Sequence, residues 1–313
     1  MNTSQKIKIG TRGSPLALAQ AHLVRDLLCQ QDPDRRSMAE IIPIRTTGDI
    51  LTDCPLSEAG GKGLFTRELD DAVQQHAIDL AVHSMKDVPT VLAQDVALPC
   101  ILPREDPRDA FICLTAQKFD QLAPGSVVGT ASLRRQAQVL ARYPHLQVRM
   151  LRGNVETRLR RLQEGAVDAT LLALAGLKRL GLADRATSIL DADVMLPAVA
   201  QGAIGITCHS RRADMHELLT PLNDAKTHTA ITCERAFLAR LDGSCRTPIA
   251  GLATLSKDGG TVTLRGLRAQ SYDDVSCHPQ LIESYLSGPA HNPEALGYRL
   301  AEHLLEILES NPG

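Results

Sequence analysis

Tryptophan is absent from this 313-residue chain, which has only four phenylalanines and four tyrosines. Proteins that hold single-stranded nucleic acid stack successive bases on aromatic rings, so no nucleic-acid partner is expected. No run of about 18 apolar residues occurs, so no membrane partner or membrane-spanning helix is expected. The opening residues, MNTSQKIKIG, contain no apolar core of a secretory signal, which places the protein in the cytoplasm as an expectation. The eight cysteines (29, 54, 100, 113, 208, 233, 245 and 277) include no C-x-x-C pair. A zinc ribbon or thioredoxin-type site is therefore not expected, no metal is expected, and scattered free thiols suit a reducing compartment. Two glycine-rich stretches, GGKGLF at 60–65 and QGAIG at 201–205, match neither the phosphate-loop nor the dinucleotide fingerprint, which removes both nucleotide classes.

What is present is an ordinary globular composition, 43% hydrophobic and 22% charged, with a net charge of -2. A chain this long holds two or three domains at about 100–200 residues each. Strand-like and helix-like segments alternate. Residues 6–11, KIKIGT, alternate like a strand. Ser14 then caps a helix with Pro15 at its first position, where a missing N–H costs nothing, and Ala17, Ala21, Val24 and Leu28 form its apolar stripe. Residues 41–45 and 79–82 read as further strands. The pattern restarts after Arg104, with strands at 110–114, 126–129, 148–151 and 168–173. Helices are read at 132–143, with Leu133, Ala137, Leu140 and Ala141 on one side, and at 155–164 between Asn154 and Gly165. From about residue 225 a helix, a hairpin turning at KDGG and a final amphipathic helix read as a small α+β domain. The expected fold is α/β: two α/β lobes and a small α+β C-terminal domain. No internal repeat is visible.

The arginines are unevenly placed. Arg12, Arg134, Arg135, Arg152 and Arg158 fall between strands and the helices that follow them, near helix N-termini whose free N–H groups already favour an anion. Positions past the carboxyl ends of strands are also where open α/β sheets bind ligands. A cleft lined with guanidinium groups for a polyanionic ligand is the economical reading, because guanidinium matches carboxylate and phosphate bidentately. Ion pairing across a domain interface is the competing structural one. Asp87, in HSMKDVP, would be held ionised in such surroundings and could accept N–H donors or stabilise a cation, or it is a surface turn beside Lys86. Cys245 stands in GSCRTP beside a cation, which favours thiolate character; a lone loop cysteine is otherwise inert.

Several stretches together resemble one family, porphobilinogen deaminase or hydroxymethylbilane synthase: TRGSPLAL, GGKGLF, DLAVHSMKDVP, REDPRDAF, GTASLRRQ, LRGNVETRL, LALAGLKRLGL, LPAVAQGAIGI and GSCRTPI. They span residues 11–249 in order. The resemblance implies two lobes like those of periplasmic-type binding proteins, at 1–102 plus 202–222 and at 103–201, and a third domain at 223–313. It implies a dipyrromethane cofactor held by a thioether to Cys245. It also implies stepwise head-to-tail condensation of four porphobilinogens with loss of ammonia, then hydrolysis to linear hydroxymethylbilane, by a cytoplasmic monomer. Asp87 matches the catalytic aspartate, expected to accept pyrrole N–H groups and stabilise the cation formed as ammonia leaves. Arg12, Ser14, Lys86, Thr130, Ser132, Arg134, Arg135, Arg152, Arg158 and Arg179 match cofactor and substrate binders, and these arginines are expected to serve the ligand rather than the fold. Lys62 and Phe65 fall on an active-site loop, and Gln201 near the domain crossover. The sequence departs from the family at Glu58, commonly lysine and expected to point to solvent, and at Ala200, often glycine. A non-catalytic two-lobed sensor of a small polyanion is the alternative; it leaves Cys245 and the third domain without a task.

Overall fold

A computed structural model describes residues 6–31, 39–50, 63–241, 247–270 and 279–310. Lys62, Cys245 and Glu58 lie outside the described residues. The strands are β1 (Ile7–Arg12), β2 (Ala39–Ile44), β3 (Leu80–Ser84), β4 (Val96–Ile101), β5 (Asp109–Cys113), β6 (Val127–Gly129), β7 (Gln147–Arg149), β8 (Ala169–Ala173), β9 (Ser188–Ile189), β10 (Ile204–His209), β11 (Ile249–Leu255), β12 (Thr261–Ala269) and β13 (Leu281–Pro289). The helices are α1 (Pro15–Gln31), α2 (Thr47–Ile50), α3 (Arg67–Gln74), α4 (Leu133–Arg142), α5 (Val155–Gln163), α6 (Leu174–Arg179), α7 (Ala213–Leu219), α8 (Ala225–Arg240) and α9 (Pro293–Ser310). The described residues divide into two compact units, one within 1–54, 59–104 and 203–228, the other within 105–202 and 229–313.

The first unit is a five-stranded sheet in the order β2-β1-β3-β10-β4. β1 runs parallel to β2 and β3, and β10 runs antiparallel to β3 and β4. The expected stripe of α1, Ala17, Ala21, Val24 and Leu28, is buried, and all but Ala17 join the core cluster of Ile9, Leu80, Val82, Ile204 and Ile206. Fully burying a side chain the size of Val or Leu is worth about 1.5–3 kcal/mol, so this face holds the helix on the sheet.

The second unit repeats the plan as β7-β6-β8-β5-β9, with β6 parallel to β7 and β8, and β5 antiparallel to β8 and β9. The same device starts the third strand of each sheet. Asp79 accepts the Lys8 N–H at 2.8 Å in the first, and Asp168 accepts the Val127 N–H at 2.7 Å in the second. The repetition is one of topology, which explains why it leaves no visible trace in residue order. A separate antiparallel sheet, β11-β12-β13, completes this unit. Its first two strands and the turn at Gly259 (φ +74°) follow the sequence pattern. β13, an edge strand, was not expected; its burial alternates from Ile282 on, but its inward positions include Ser284 and Gly288, so the sequence carries only a weak apolar period, and Tyr285 faces out at 71% exposure.

The helix caps follow the sequence. Asn154 accepts the Thr157 N–H at 2.8 Å and Ser132 the Arg135 N–H at 3.4 Å. The buried face of α4 does not follow it. That face carries Arg134, Arg135, Ala137, Gln138 and Val139, rather than the predicted stripe through Leu133 and Leu140. Charged residues turn inward here because a buried anion meets them.

The chain leaves the second unit at Gly202, whose carbonyl accepts the Glu105 N–H at 3.2 Å and Arg179 Nη2 at 2.6 Å. Its φ of +91° is open to glycine, and a Cβ would overlap the Glu105 carbonyl oxygen. Gly202→Ala is expected to destabilise the protein by roughly 1–3 kcal/mol. A thermal melt checks this, and an unchanged midpoint would contradict it.

Candidate active site

In the first unit the carboxyl ends of β1, β2 and β3 lie side by side, because the three strands are parallel and neighbours. Arg12 ends β1. Asp49 follows β2 in α2. Asp87 closes the 3-10 turn Met85–Asp87 that follows β3. Arg12 holds Asp49 with two donors: Nε reaches Oδ2 at 3.2 Å, and Nη2 meets Oδ1. Its remaining nitrogen, Nη1, stands 3.8 Å from Asp87 Oδ2. The guanidinium carbon lies 4.1 Å from the centroid of the Phe65 ring. Phe65 in turn packs on Gly48, whose N–H donates to the Leu64 carbonyl at 2.8 Å. Thr46 Oγ1 donates to Asp49 Oδ2 at 2.8 Å. Burial raises the Asp49 carboxyl, but the hydrogen bonds from Arg12 and Thr46 and the Arg12 charge outweigh it, so the group is held below the usual carboxylate range.

Asp87 is only about a quarter exposed (24%), and Lys86 beside it faces solvent. Behind them His83 is buried, its Nε2 3.0 Å from Thr207 Oγ1. Burial, then the nearby Arg12 charge, pushes the imidazole down to about 4, so it is neutral at pH 7. Ser14 takes its capping position: its Oγ accepts the Ala17 N–H at 3.3 Å and its carbonyl the Leu18 N–H at 2.9 Å.

In the second unit Arg134, Arg135 and Gln201 converge on Asp109, the first residue of β5, which is completely buried. Arg134 Nη1 donates to Oδ2 at 2.8 Å, Arg135 Nη2 to Oδ1 at 2.7 Å, and Gln201 Nε2 to Oδ1 at 3.1 Å. Burial raises the Asp109 carboxyl, but the charges and hydrogen bonds of both arginines outweigh it and hold it far below the usual range. Arg134 Nη1 also donates to the Leu196 carbonyl at 2.8 Å, and Arg135 Nη1 to that of Leu171 at 2.9 Å. Arg134 Nε, also buried, has no hydrogen-bond partner among the described residues. The expectation that these two arginines leave the fold alone therefore changes: both are part of a buried ion cluster. What sequence reading missed was Asp109 and Asp49. The signal for Asp109 was REDPRDAF, a carboxylate opening an apolar strand; for Asp49 it was a carboxylate just past a strand end, as at Asp87.

Thr130 and Ser132 occupy the turn between β6 and α4, with Thr130 Oγ1 accepting the Ser132 N–H at 3.1 Å. Arg158 Nε donates to the Gly153 carbonyl at 2.9 Å, and Arg152 stands half-buried at the turn before α5. Arg179 ends α6; its desolvation lowers its affinity for a proton, and Glu105 acts the other way. Among the described residues no group of three or more His, Cys, Asp or Glu side chains is placed to hold a metal ion. Burial pushes the thiols of Cys100 and Cys233 up to about 12 and that of Cys208 to about 11, which leaves them inert.

The chain is thus mixed α/β, with a braced carboxylate past one set of strand ends and basic side chains past another. Residues 7–217 match the family model "Porphobilinogen deaminase, dipyromethane cofactor binding domain", and residues 228–306 match "Porphobilinogen deaminase, C-terminal domain". The chain belongs to the porphobilinogen deaminase family. It is 60% identical over 265 residues to the chloroplastic porphobilinogen deaminase of Oryza sativa, covering 84% of this chain and 74% of the relative. It is 49% identical over 300 residues to that of Paracoccus denitrificans, covering 95% and 93%. Among solved structures it aligns with the methionine binding protein MetQ at 11% identity and a TM-score of 0.44, over 69% of this chain and 89% of that one. A likeness that distant says nothing about ligand or chemistry.

Proposed function

We propose that Asp87 is the catalytic carboxylate of the deaminase reaction and that the basic side chains named above bind the acetate and propionate groups of the pyrrole rings. The reaction itself is that of the family: a transferase that condenses four porphobilinogens head to tail with release of ammonia, then frees linear hydroxymethylbilane for tetrapyrrole biosynthesis. The observation that carries the proposal is Asp87 itself, partly exposed past β3 and held 3.8 Å from Arg12 Nη1 rather than in a tight pair. A carboxylate so placed keeps acceptor capacity for pyrrole N–H groups. It also sets a fixed negative charge where positive charge develops as the aminomethyl C–N bond breaks, the kind of preorganised charge that usually contributes most to catalysis. Its neighbour in the chain, Lys86, and the guanidinium of Arg12 offset the negative charge of the ring substituents.

The residues present fit a polycarboxylate cofactor. Arg152, Arg158 and Arg179 are half-buried cations at strand-helix turns or helix ends, and the Arg134 Nε donor is buried with no described partner. A buried donor left so costs about 1–3 kcal/mol, which a ligand carboxylate would recover. Dipyrromethane, when bound, supplies the pyrrole α-carbon to which the first substrate is joined. We place its thioether on Cys245, on the GSCRTP match. We take the finer organisation to be three domains, at 1–102 plus 202–222, 103–201 and 223–313, with Lys62 and Phe65 on the active-site loop. No described helix is long and apolar enough to cross a membrane, and the five described cysteines are free. We take the protein to be a cytoplasmic monomer with porphobilinogen as its partner.

Intact-protein mass tests the whole reading. The purified protein is expected to exceed its sequence mass by a two-pyrrole adduct, and peptide digestion is expected to map that adduct to Cys245. A protein at its bare sequence mass, or an adduct on another cysteine, would overturn it.

A further inference from the structure

We infer that Asp49 is a positioning residue for the reaction: it occupies Arg12 so that Arg12 does not close on Asp87. The inference rests on the reading of Asp87 as the catalytic carboxylate and extends it to a residue that no motif of the family assigned.

Arg12 has two carboxylates within reach and divides itself unequally between them. Asp49 takes Nε and Nη2, the bidentate edge of the guanidinium. Asp87 faces only Nη1, at 3.8 Å, beyond hydrogen-bond length. Bidentate guanidinium-carboxylate pairs are the stronger and the more directional, so this arrangement fixes both where the guanidinium is and which edge it offers. Three further contacts hold it. Thr46 Oγ1 orients the Asp49 carboxylate at 2.8 Å, and the Phe65 ring stacks on the guanidinium. Gly48, next to Asp49, is tied to the Leu64 carbonyl, so the stretches before and after residues 51–62 are joined at this point.

The consequence is chemical. Without Asp49, the edge of Arg12 that it holds is free to turn to Asp87, the other carboxylate in reach, and a bidentate pair there would consume both acceptor oxygens. Asp87 would then have fewer lone pairs for a pyrrole N–H and less net charge with which to meet a developing cation. Asp49 is thus the group that keeps Asp87 near a cation yet available. The charged and titratable groups around this pair are Arg12 from β1, His83 from β3, Lys86, and Glu68 of α3, which accepts the Thr47 N–H at 2.8 Å. His83 is neutral near pH 7, and Arg12 Nη1 stands 3.8 Å from Asp87 Oδ2.

The test uses holoenzyme whose cofactor loading is confirmed by mass. Asp49→Asn keeps shape and removes the charge that claims Arg12. The expected result is a fall in kcat on the order of tenfold to a hundredfold, as misplacement of a catalytic group produces. Removing a neighbouring anion and tightening a cation both favour the ionised form of Asp87, so the acid limb of the kcat/KM profile is expected to move to lower pH. Asp49→Glu, which can still claim the guanidinium, is expected to recover part of the loss. Wild-type kcat with an unmoved acid limb in Asp49→Asn would overturn the inference. So would a loss of activity accompanied by an unmoved acid limb, which marks a merely structural role. Asp87→Asn, assayed alongside, separates the two layers. If it is inactive while Asp49→Asn is normal, only the positioning role falls; if it is fully active, the catalytic reading falls as well.

Discussion

Asp87→Asn is expected to fold, to load its dipyrromethane, and then to turn over porphobilinogen about a hundred- to a thousandfold more slowly than the parent protein. The substitution keeps the side-chain shape at the end of the 3-10 turn after β3, where the backbone is tied down by Met85 N–H donating to the Ala203 carbonyl at 3.0 Å and Val88 N–H to the Met85 carbonyl at 3.2 Å. Little in the fold depends on the carboxylate, because its nearest described cation, Arg12, is already satisfied by Asp49. What is lost is a negative charge at a partly buried position. Removal of one such electrostatic group typically costs about 2.7–4 kcal/mol of transition-state stabilisation, which is the rate loss stated. Steady-state kinetics on protein of verified cofactor content checks it. Near-normal turnover in a fully loaded variant would show that another group carries the charge.

Asp109→Asn should act on the opposite link, from packing to stability. The parent carboxylate is completely buried and receives donors from Arg134, Arg135 and Gln201. Asparagine would leave two buried guanidinium groups without a counter-charge and turn an amide N–H₂ toward one of them. Breaking a buried ion cluster by removing one member costs about 3–5 kcal/mol, which for a chain of this size is on the order of 10 °C in melting midpoint. The pH dependence has a defined sign. The folded-state affinity of Asp109 for a proton is depressed, so its contribution is fully present above the unfolded carboxyl value of about 3.9 and is lost only as pH falls below it. The stability gap between parent and variant is therefore expected to be flat across neutral pH and to narrow only in strong acid. Thermal melts of both proteins over a pH series measure this, and equal midpoints at neutral pH would remove Asp109 from the stability of the fold. The same cluster makes leucine at Arg134 or Arg135 destabilising, in addition to any effect on ligand binding.

Local order determined what was legible without coordinates. The stripe of α1, the caps at Ser14 and Asn154 and the turn at KDGG depend on residues three or four apart, and each appears where the pattern placed it. Motif content likewise determined the family, because HSMKDVP, SLRRQ and LRGN are short and unbroken. Tertiary structure decided which charges meet. Arg134 and Arg135 looked like cations at a helix start waiting for a ligand, yet Asp109, 25 and 26 residues away, reaches them because β5 lies beside β8 in the same sheet. Arg12 looked like one more member of a cationic set, yet Asp49, 37 residues on, claims two of its three nitrogens because β1 and β2 end together. No sequence period encodes such pairs. They exist because a sheet brings distant strand ends to one edge, the carboxyl ends of parallel β1 and β2 in one case and the start of β5 beside the end of antiparallel β8 in the other, and a charge there takes whichever partner the sheet order supplies.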